Sequence, residues 1–404
     1  MSKLLINSRV KIFIPSNLIQ TPRAYNLVNY LSPKVDKIHI VSSVVANNVG
    51  SIDFSSNVTV HYLFDLRTRN FQSYIVKIRF KIARILLATL GIETHWALGY
   101  GVKEFLKATK NIEDETIFCF KEIGLLIGNE LIKKNKKVIF DIEDWYSKDL
   151  LEKDRKYRPL KVLKALEKKA IRYSNIMVPS IQMKLELEKA YGMGNFFIYY
   201  NSFKQTESVS NTDNPTDKIK LIWFSQMVSF GRGLEEFLQT LSSLSVSVHI
   251  DLIGRIDPEF EDFLIGKFKD FRHNHSFMLH GFVEEEQLNN FIQNAHFGLG
   301  LEITKIPSRD LTITYKCFRY LINNKPLILS NTRGQKEFAK LTSNLYPILD
   351  FNTGEEIKTS GEKLNKFFLE IMRDKNYSNL VRRTEQISKN FDIDLLLNQL
   401  IRTN

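Results

Sequence analysis

At three points in the chain, residues able to handle a charged substrate fall where an apolar strand gives way to a loop or helix. In LIWFSQMVSFGRGLEEFL a strand over 221–224 is followed by a loop that holds Gln226, and Gly231-Arg232-Gly233 opens the next helix. The unpaired N–H groups and positive dipole end of a helix N-terminus suit a diphosphate, and Arg232 adds a guanidinium fork for the same anion. An ordinary strand-to-helix loop with a solvated arginine accounts for the same letters equally well. In ITYKCFRYLINNKPLILSN, residues 313–331, a helix carries Lys316, Arg319 and Tyr320. Lys316 and Tyr320 are four apart and share a face, so Lys316 or Arg319 can reach a phosphate or a ribose. Thr312, Thr314 and Tyr315, at the start of that helix, are further binding candidates. The third point is KKVIFDIEDWYSKDL, residues 136–150, with Asp141, Glu143 and Asp144 at a strand end. Three carboxylates so close repel one another and raise the pKa of at least one, which suits proton handling. The alternative is a solvated acidic turn that caps the next helix.

Smaller signals surround these. Gly281-Phe282-Val283 follows a short strand, as does Gly254, and such loops either hold a base through backbone groups or only connect. Glu302 ends the strand after Phe297. Arg23 at a helix start, Glu122 after the strand 116–120, and Trp145, which either stacks on a sugar or packs, are candidates on the other half. His39, His61 and His249 alternate inside strands and read as structural. Residues 75–90 (IVKIRFKIARILLATL) set Ile75, Ile78, Ile82, Ile85, Leu86 and Thr89 on one side and Lys77, Lys81 and Arg84 on the other, with Arg67 and Arg69 just before. That pattern fits a helix lying in an anionic membrane interface, and equally a crossover helix with its apolar face in the core.

The elements that position these residues alternate in type. Strands at 10–15, 37–41, 58–63, 116–120, 137–141, 176–179 and 197–200 are interleaved with helical patterns, and the alternation restarts at 219–224, 248–253, 277–279, 297–301 and 326–330. That is the pattern of parallel sheets with crossover helices. The polar stretch 204–217 separates the two runs. The reading is therefore an α/β chain of two doubly wound, Rossmann-like domains facing a central cleft: residues 1–203, a linker 204–217, residues 218–376, and a helical segment 377–404 returning to the first domain. At 404 residues the chain is long enough for two cores. A hydrophobic share of 43% against 25% charged residues excludes disorder. A formal charge of +12 favours anionic partners, but no zinc spacing, aromatic ribonucleoprotein box or basic zipper supports nucleic acid. Two cysteines, Cys119 and Cys317, make neither a disulfide framework nor a metal site. No signal-peptide h-region or stretch of ~18 to 20 apolar residues is present, so the expected location is the cytoplasm, with peripheral contact at the inner face of the membrane as an option.

Taken in order, these pieces resemble the donor half of retaining family-four (group 1) glycosyltransferases of GT-B architecture, which build bacterial surface polysaccharide. That family's first loop reads roughly Gly-Arg-x-x-x-x-Lys-Gly, with both basic residues on the donor diphosphate; Ser225, Gln226, Arg232 and Gly233 occupy the matching places. Gly254 resembles the next strand end, Gly281 to Val283 the loop that holds the base, and 316–330 the family's Lys-x-Phe-Glu-Tyr-x-x-x-x-Lys-Pro-x-Ile-x-Ser. The family carries two glutamates eight positions apart; here those places hold Leu311 and Arg319, with Asp310 and Glu302 as neighbouring carboxylates out of register. In the first half, 136–150 resembles the strand end facing the donor sugar, Glu143 falling on the family's His, and the loop 16–23 resembles the first loop, with Arg23.

The resemblance implies a glycosyltransferase that uses a nucleotide sugar as co-substrate, needs no cofactor or metal, retains anomeric configuration, and elongates a capsule, O-antigen or lipopolysaccharide glycan, free or lipid-linked. Asp141, Glu143 and Asp144 would be catalytic; Gln226, Arg232, Gly233, Gly254, Phe282, Val283, Glu302, Thr312, Thr314, Tyr315, Lys316 and Arg319 would bind the donor; Arg23, Glu122 and Trp145 would lie on the acceptor side. A catalytically silent scaffold or a nucleotide-sugar epimerase of the same fold are the alternatives, the missing glutamate pair favouring the former.

Overall fold

The computed structural model describes residues 3–403 apart from 19–20, 46–53, 111, 114, 206–213, 272–273 and 374–375, and of residues 153 and 154 the backbone only. Most of the expected linker lies outside the described residues. The chain divides into two compact units, residues 1–200 with 396–404, and residues 201–395.

In the first unit the strands are β1 (Leu4–Ile6), β2 (Arg9–Ile14), β3 (Lys37–Val44), β4 (Val58–Asp65), β5 (Thr116–Phe120), β6 (Val138–Asp141), β7 (Asn175–Val178) and β8 (Asn195–Ile198). Seven of them form one sheet in the order β4-β3-β2-β5-β6-β7-β8, parallel throughout. The central strand β5, TIFCF, is buried at every residue, as a parallel strand covered on both faces must be. The edge strand β4 alternates partly exposed and exposed residues over most of its length. Helix ends follow local chemistry: Asn70 accepts from the Ser73 N–H to start Phe71–Leu90, Gly91 ends it in the left-handed region, and Ser180 starts Ile181–Tyr191.

The second unit holds β9 (Lys218–Val228), β10 (Ser247–Ile256), β11 (His275–Leu279), β12 (Phe297–Gly300), β13 (Leu327–Ser330) and β14 (Ile348–Leu349) in one sheet ordered β11-β10-β9-β12-β13-β14, again parallel. In both sheets the order runs outward from an inner strand in one direction and then the other. The reversal falls between β2 and β5 in the first and between β9 and β12 in the second, and it is beyond the carboxyl ends at such a switch point that open α/β sheets bind ligands.

Three sequence expectations change. β9 does not stop at Phe224: Met227 and Val228 still pair with Arg255 and Ile256 across a register shift, so Gln226 lies in a strand, exposed, and not in the loop. The helix expected after Gly233 is short: it ends at Thr240 and tightens into a 3₁₀ turn, Leu241–Ser243. The helical stretch at 377–400 is broken into Asn376–Ser388, a 3₁₀ turn Lys389–Phe391 and Ile393–Leu400. Asp392 causes that break, because its carboxylate accepts from the Asp394 and Leu395 N–H groups and caps the last helix. Only residues from Leu396 onward belong with the first unit; the rest of the segment packs with the second. A final strand, β15 (Ile401–Thr403), pairs in parallel with β1.

Candidate active site

The switch point of the second sheet gathers three charged side chains. β9 leads to Gly231, Arg232 and Gly233; β12 leads to Glu302; and Lys316 stands in the first turn of the helix Tyr315–Ile322. Arg232 Nη1 lies 3.5 Å and Lys316 Nζ 3.4 Å from the same oxygen, Oε1 of Glu302. Glu302 and Lys316 are buried, while the Arg232 side chain stays about one-third exposed. Burial lowers the Lys316 pKa, the Glu302 carboxylate opposes that shift, and Arg232 adds to it. The second Glu302 oxygen, Oε2, is buried with no hydrogen-bond partner among the described residues.

The backbone under this cluster is tightly held. Glu302 N–H donates to Ser330 Oγ at 2.9 Å, and Ser330 Oγ donates to the Glu302 carbonyl at 2.8 Å. Gly233 has φ +82° and sits so close that a Cβ there would lie 3.1 Å from the Glu302 carbonyl oxygen, which explains a glycine on both grounds. The helix carrying Lys316 is pinned to the sheet by Tyr320, whose hydroxyl donates to the Ile222 carbonyl at 3.0 Å, and Lys316 Nζ lies 5.0 Å from the centre of the Trp223 ring. Two supports went unread in the sequence. Glu235 accepts the Gly231 N–H at 2.5 Å, and Arg309 donates to the Gly231 carbonyl at 2.5 Å. An acidic residue in the first helical turn is the signal that could have marked Glu235.

The other donor-side candidates are dispersed. Arg319 turns away from the cluster: it donates to Glu285 Oε1 at 2.8 Å and Asn289 Oδ1 at 2.9 Å and lies over the Phe203 ring. It stands three residues past Lys316 and faces the helix Glu285–Asn294. Asp310 is bound to Arg333 through both backbone and side chain, so of the two out-of-register carboxylates only Glu302 faces the cations. At Gly254 β10 leaves no room for a side chain beside β9, since a Cβ there would meet the Ser225 carbonyl oxygen at 2.0 Å. Its N–H donates to Gly281 at 2.7 Å. Phe282 is exposed and Val283 half-buried in the turn beyond. Thr312 donates to the Ser308 carbonyl, Thr314 pairs with Cys317 Sγ, and Tyr315 stacks edge-on against Phe203 and Phe224.

In the first unit the acidic turn separates into three roles. Asp141 is buried and forms a two-pronged ion pair with Arg23, at 2.7 and 2.5 Å. Arg23 also donates to the Tyr199 carbonyl and lies over the Tyr199 ring, while the Tyr199 hydroxyl donates back to the Arg23 carbonyl. This knot fixes β6 to the helix Pro22–Leu31 and buries both Arg23 and Asp141. Glu143 pairs with Lys121, which opens the helix after β5 in the left-handed region at φ +63°. The Asp144 carboxyl is pushed up to about 7 by burial and by the charges of Asp149 and Glu143. Glu122 pairs with Arg158 at 2.6 Å. Trp145 is 1% exposed; its indole N–H donates to the Tyr191 hydroxyl, and Lys148 covers one ring face. It packs in the core and offers no face to a sugar. Among the described residues no group of three or more His, Cys, Asp or Glu is placed to hold a metal ion.

No family model matches the sequence, and no curated protein matches it significantly. Solved structures do. HepE of Anabaena, crystallised with UDP-glucose, is 11% identical with a TM-score of 0.61, over 97% of each chain. The α,α-trehalose 6-phosphate synthase of Burkholderia multivorans is 12% identical with a TM-score of 0.61, over 99% of this chain and 95% of that one. WaaG, a glycosyltransferase involved in lipopolysaccharide biosynthesis, is 10% identical with a TM-score of 0.59, over 96% and 98%. With two doubly wound parallel sheets and these likenesses along nearly its whole length, the chain has the GT-B fold.

Proposed function

We propose that this chain is a glycosyltransferase that moves a sugar from a nucleoside diphosphate sugar to a growing surface glycan, with retention and without a metal ion. The carrying observation is the pair of cations, Arg232 and Lys316, held within 3.5 Å of one buried carboxylate at the switch point of the second sheet. As the bond from the anomeric carbon to the diphosphate oxygen breaks, negative charge collects on the leaving group. Two positioned cations stabilise it there without reorganisation. Glu302 holds them in place in the free protein. The UDP-glucose bound to HepE supports the donor class, and the role of WaaG in lipopolysaccharide biosynthesis supports the acceptor class. In the first unit Glu143, with Lys121 as its partner, and Asp144, its carboxyl pushed up to about 7, are the groups that would exchange a proton.

A thermal-shift panel of nucleoside diphosphate sugars, followed by donor turnover, tests the reading. One donor is expected to raise the melting temperature and to be hydrolysed slowly, in EDTA as well as in Mg²⁺. Arg232→Ala and Lys316→Met are expected to lower turnover by about 10²-fold each. No shift with any donor would favour a silent scaffold, sugar interconversion without acceptor an epimerase, and activity lost in EDTA but restored by Mg²⁺ would overturn the metal-free step.

A further inference from the structure

The helix Phe71–Leu90 packs on its own unit through a narrow seam of Ser73, Val76, Ala83 and Leu87. Its larger apolar side chains point the other way. Phe71 is 81% exposed, Ile78 54%, Ile82 52% and Ile85 49%, and Tyr74 is half exposed. Spacings of three and four residues put these five on one ridge, opposite the seam. A crossover helix that buried its broad apolar face would show the reverse. The apolar edge continues into Leu90 and Ile92, both exposed.

Charge flanks the ridge. The helix contains Lys77, Arg79, Lys81 and Arg84 and no acidic residue. Beside it a shallow pocket of about 510 Å³ is lined by Arg79, Trp96, Lys103, Leu106, Lys107 and Lys110. Lys103, Lys107 and Lys110 are exposed, and Trp96, 38% exposed, lies under the Arg79 guanidinium at 6.0 Å. An apolar ridge bordered by cations and an amphipathic ring matches a lipid bilayer interface: acyl chains receive the isoleucines, and phosphate headgroups receive the lysines and arginines. A second copy of this chain would bring cationic flanks against cationic flanks. We propose that this helix, with the adjoining cationic pocket, docks the protein on an anionic lipid surface, lying in the plane of the interface. Among the described residues no helix is long and apolar enough to cross a membrane.

Co-sedimentation with vesicles tests this and needs no sugar donor, so its outcome is independent of the transferase reading. The full chain is expected to pellet with vesicles of equal parts phosphatidylcholine and phosphatidylglycerol and to stay in solution with phosphatidylcholine alone. Ile78→Ser/Ile82→Ser/Ile85→Ser changes only exposed positions, and its melting temperature should match the wild type while its bound-to-free ratio falls about tenfold or more. Lys103→Gln/Lys107→Gln/Lys110→Gln should weaken binding in the same direction. Wild type that fails to pellet, pelleting that ignores phosphatidylglycerol, or a serine variant that binds like wild type would each overturn the proposal. A wild-type dimer in sedimentation velocity that the serine variant dissolves, with no vesicle binding, would assign the ridge to a second copy instead.

Discussion

Carboxylates that look alike as letters have separate fates, set by their surroundings. Asp141 is neutralised by Arg23, Glu143 by Lys121, and Asp144 is left with a carboxyl pushed up to about 7 by burial and by Asp149 and Glu143. A carboxyl whose folded pKa lies above its unfolded value favours the fold at low pH, and that contribution is lost as pH rises through the folded value. Here the window runs from the ordinary aspartate range up to about 7. Asp144→Asn is therefore expected to gain stability over wild type, by more than about 1 kcal/mol at about pH 8 and little at about pH 4, read from urea midpoints. The chance of a raised carboxyl was legible in the crowding of Asp141, Glu143 and Asp144. Which of them would find a cation was not, because Arg23 is 118 positions away from Asp141 in the chain. Arg232 and Lys316 were legible as cations near strand ends. That Glu302 would join them, and Arg319 would not, depended on the rotation of one helix against another.

Apolar runs bounded by polar turns located most strands, since parallel strands covered on both faces must be continuously apolar. The strands β1, β14 and β15 left no such trace. They are three, two and three residues long, and distant partners create them. The turn into β12 shows how an element end carries a pH response. His296 is buried, and burial, with Lys325 and Lys220 nearby, pushes its pKa down to about 4. Its Nδ1 accepts the Lys220 N–H at 2.9 Å, while Lys325 donates to the Gln293 and Ala295 carbonyls and closes the preceding helix. With the folded pKa below the unfolded one, stability is full above about 6.5 and is lost as pH falls through about 4. Wild type should lose about 3 kcal/mol from this group between those limits. His296→Asn, whose side-chain oxygen can accept the same N–H, should flatten that part of the curve in chemical denaturation.

Two alternating runs separated by a polar stretch made the pair of doubly wound units readable, because strand and helix periodicities differ and restart together. The division came close, with the first unit expected to end at 203, but the whole of 377–404 was expected to return to it. The boundary falls at Tyr200, and the chain's last nine residues return to the first unit. Among the described residues β1 pairs with β15 alone, from Leu4 opposite Ile401 to Ile6 opposite Thr403. Deleting residues 401–404 should cost about 2 kcal/mol through the lost burial of Ile401 against its neighbours, measured as a fall in the first unit's unfolding midpoint. The same pairing orders events on the ribosome. β1 waits for β15, and at cellular elongation rates that wait is on the order of tens of seconds. Until β15 is made β1 is an open edge, and there a chaperone or a protease would find the first unit unfinished.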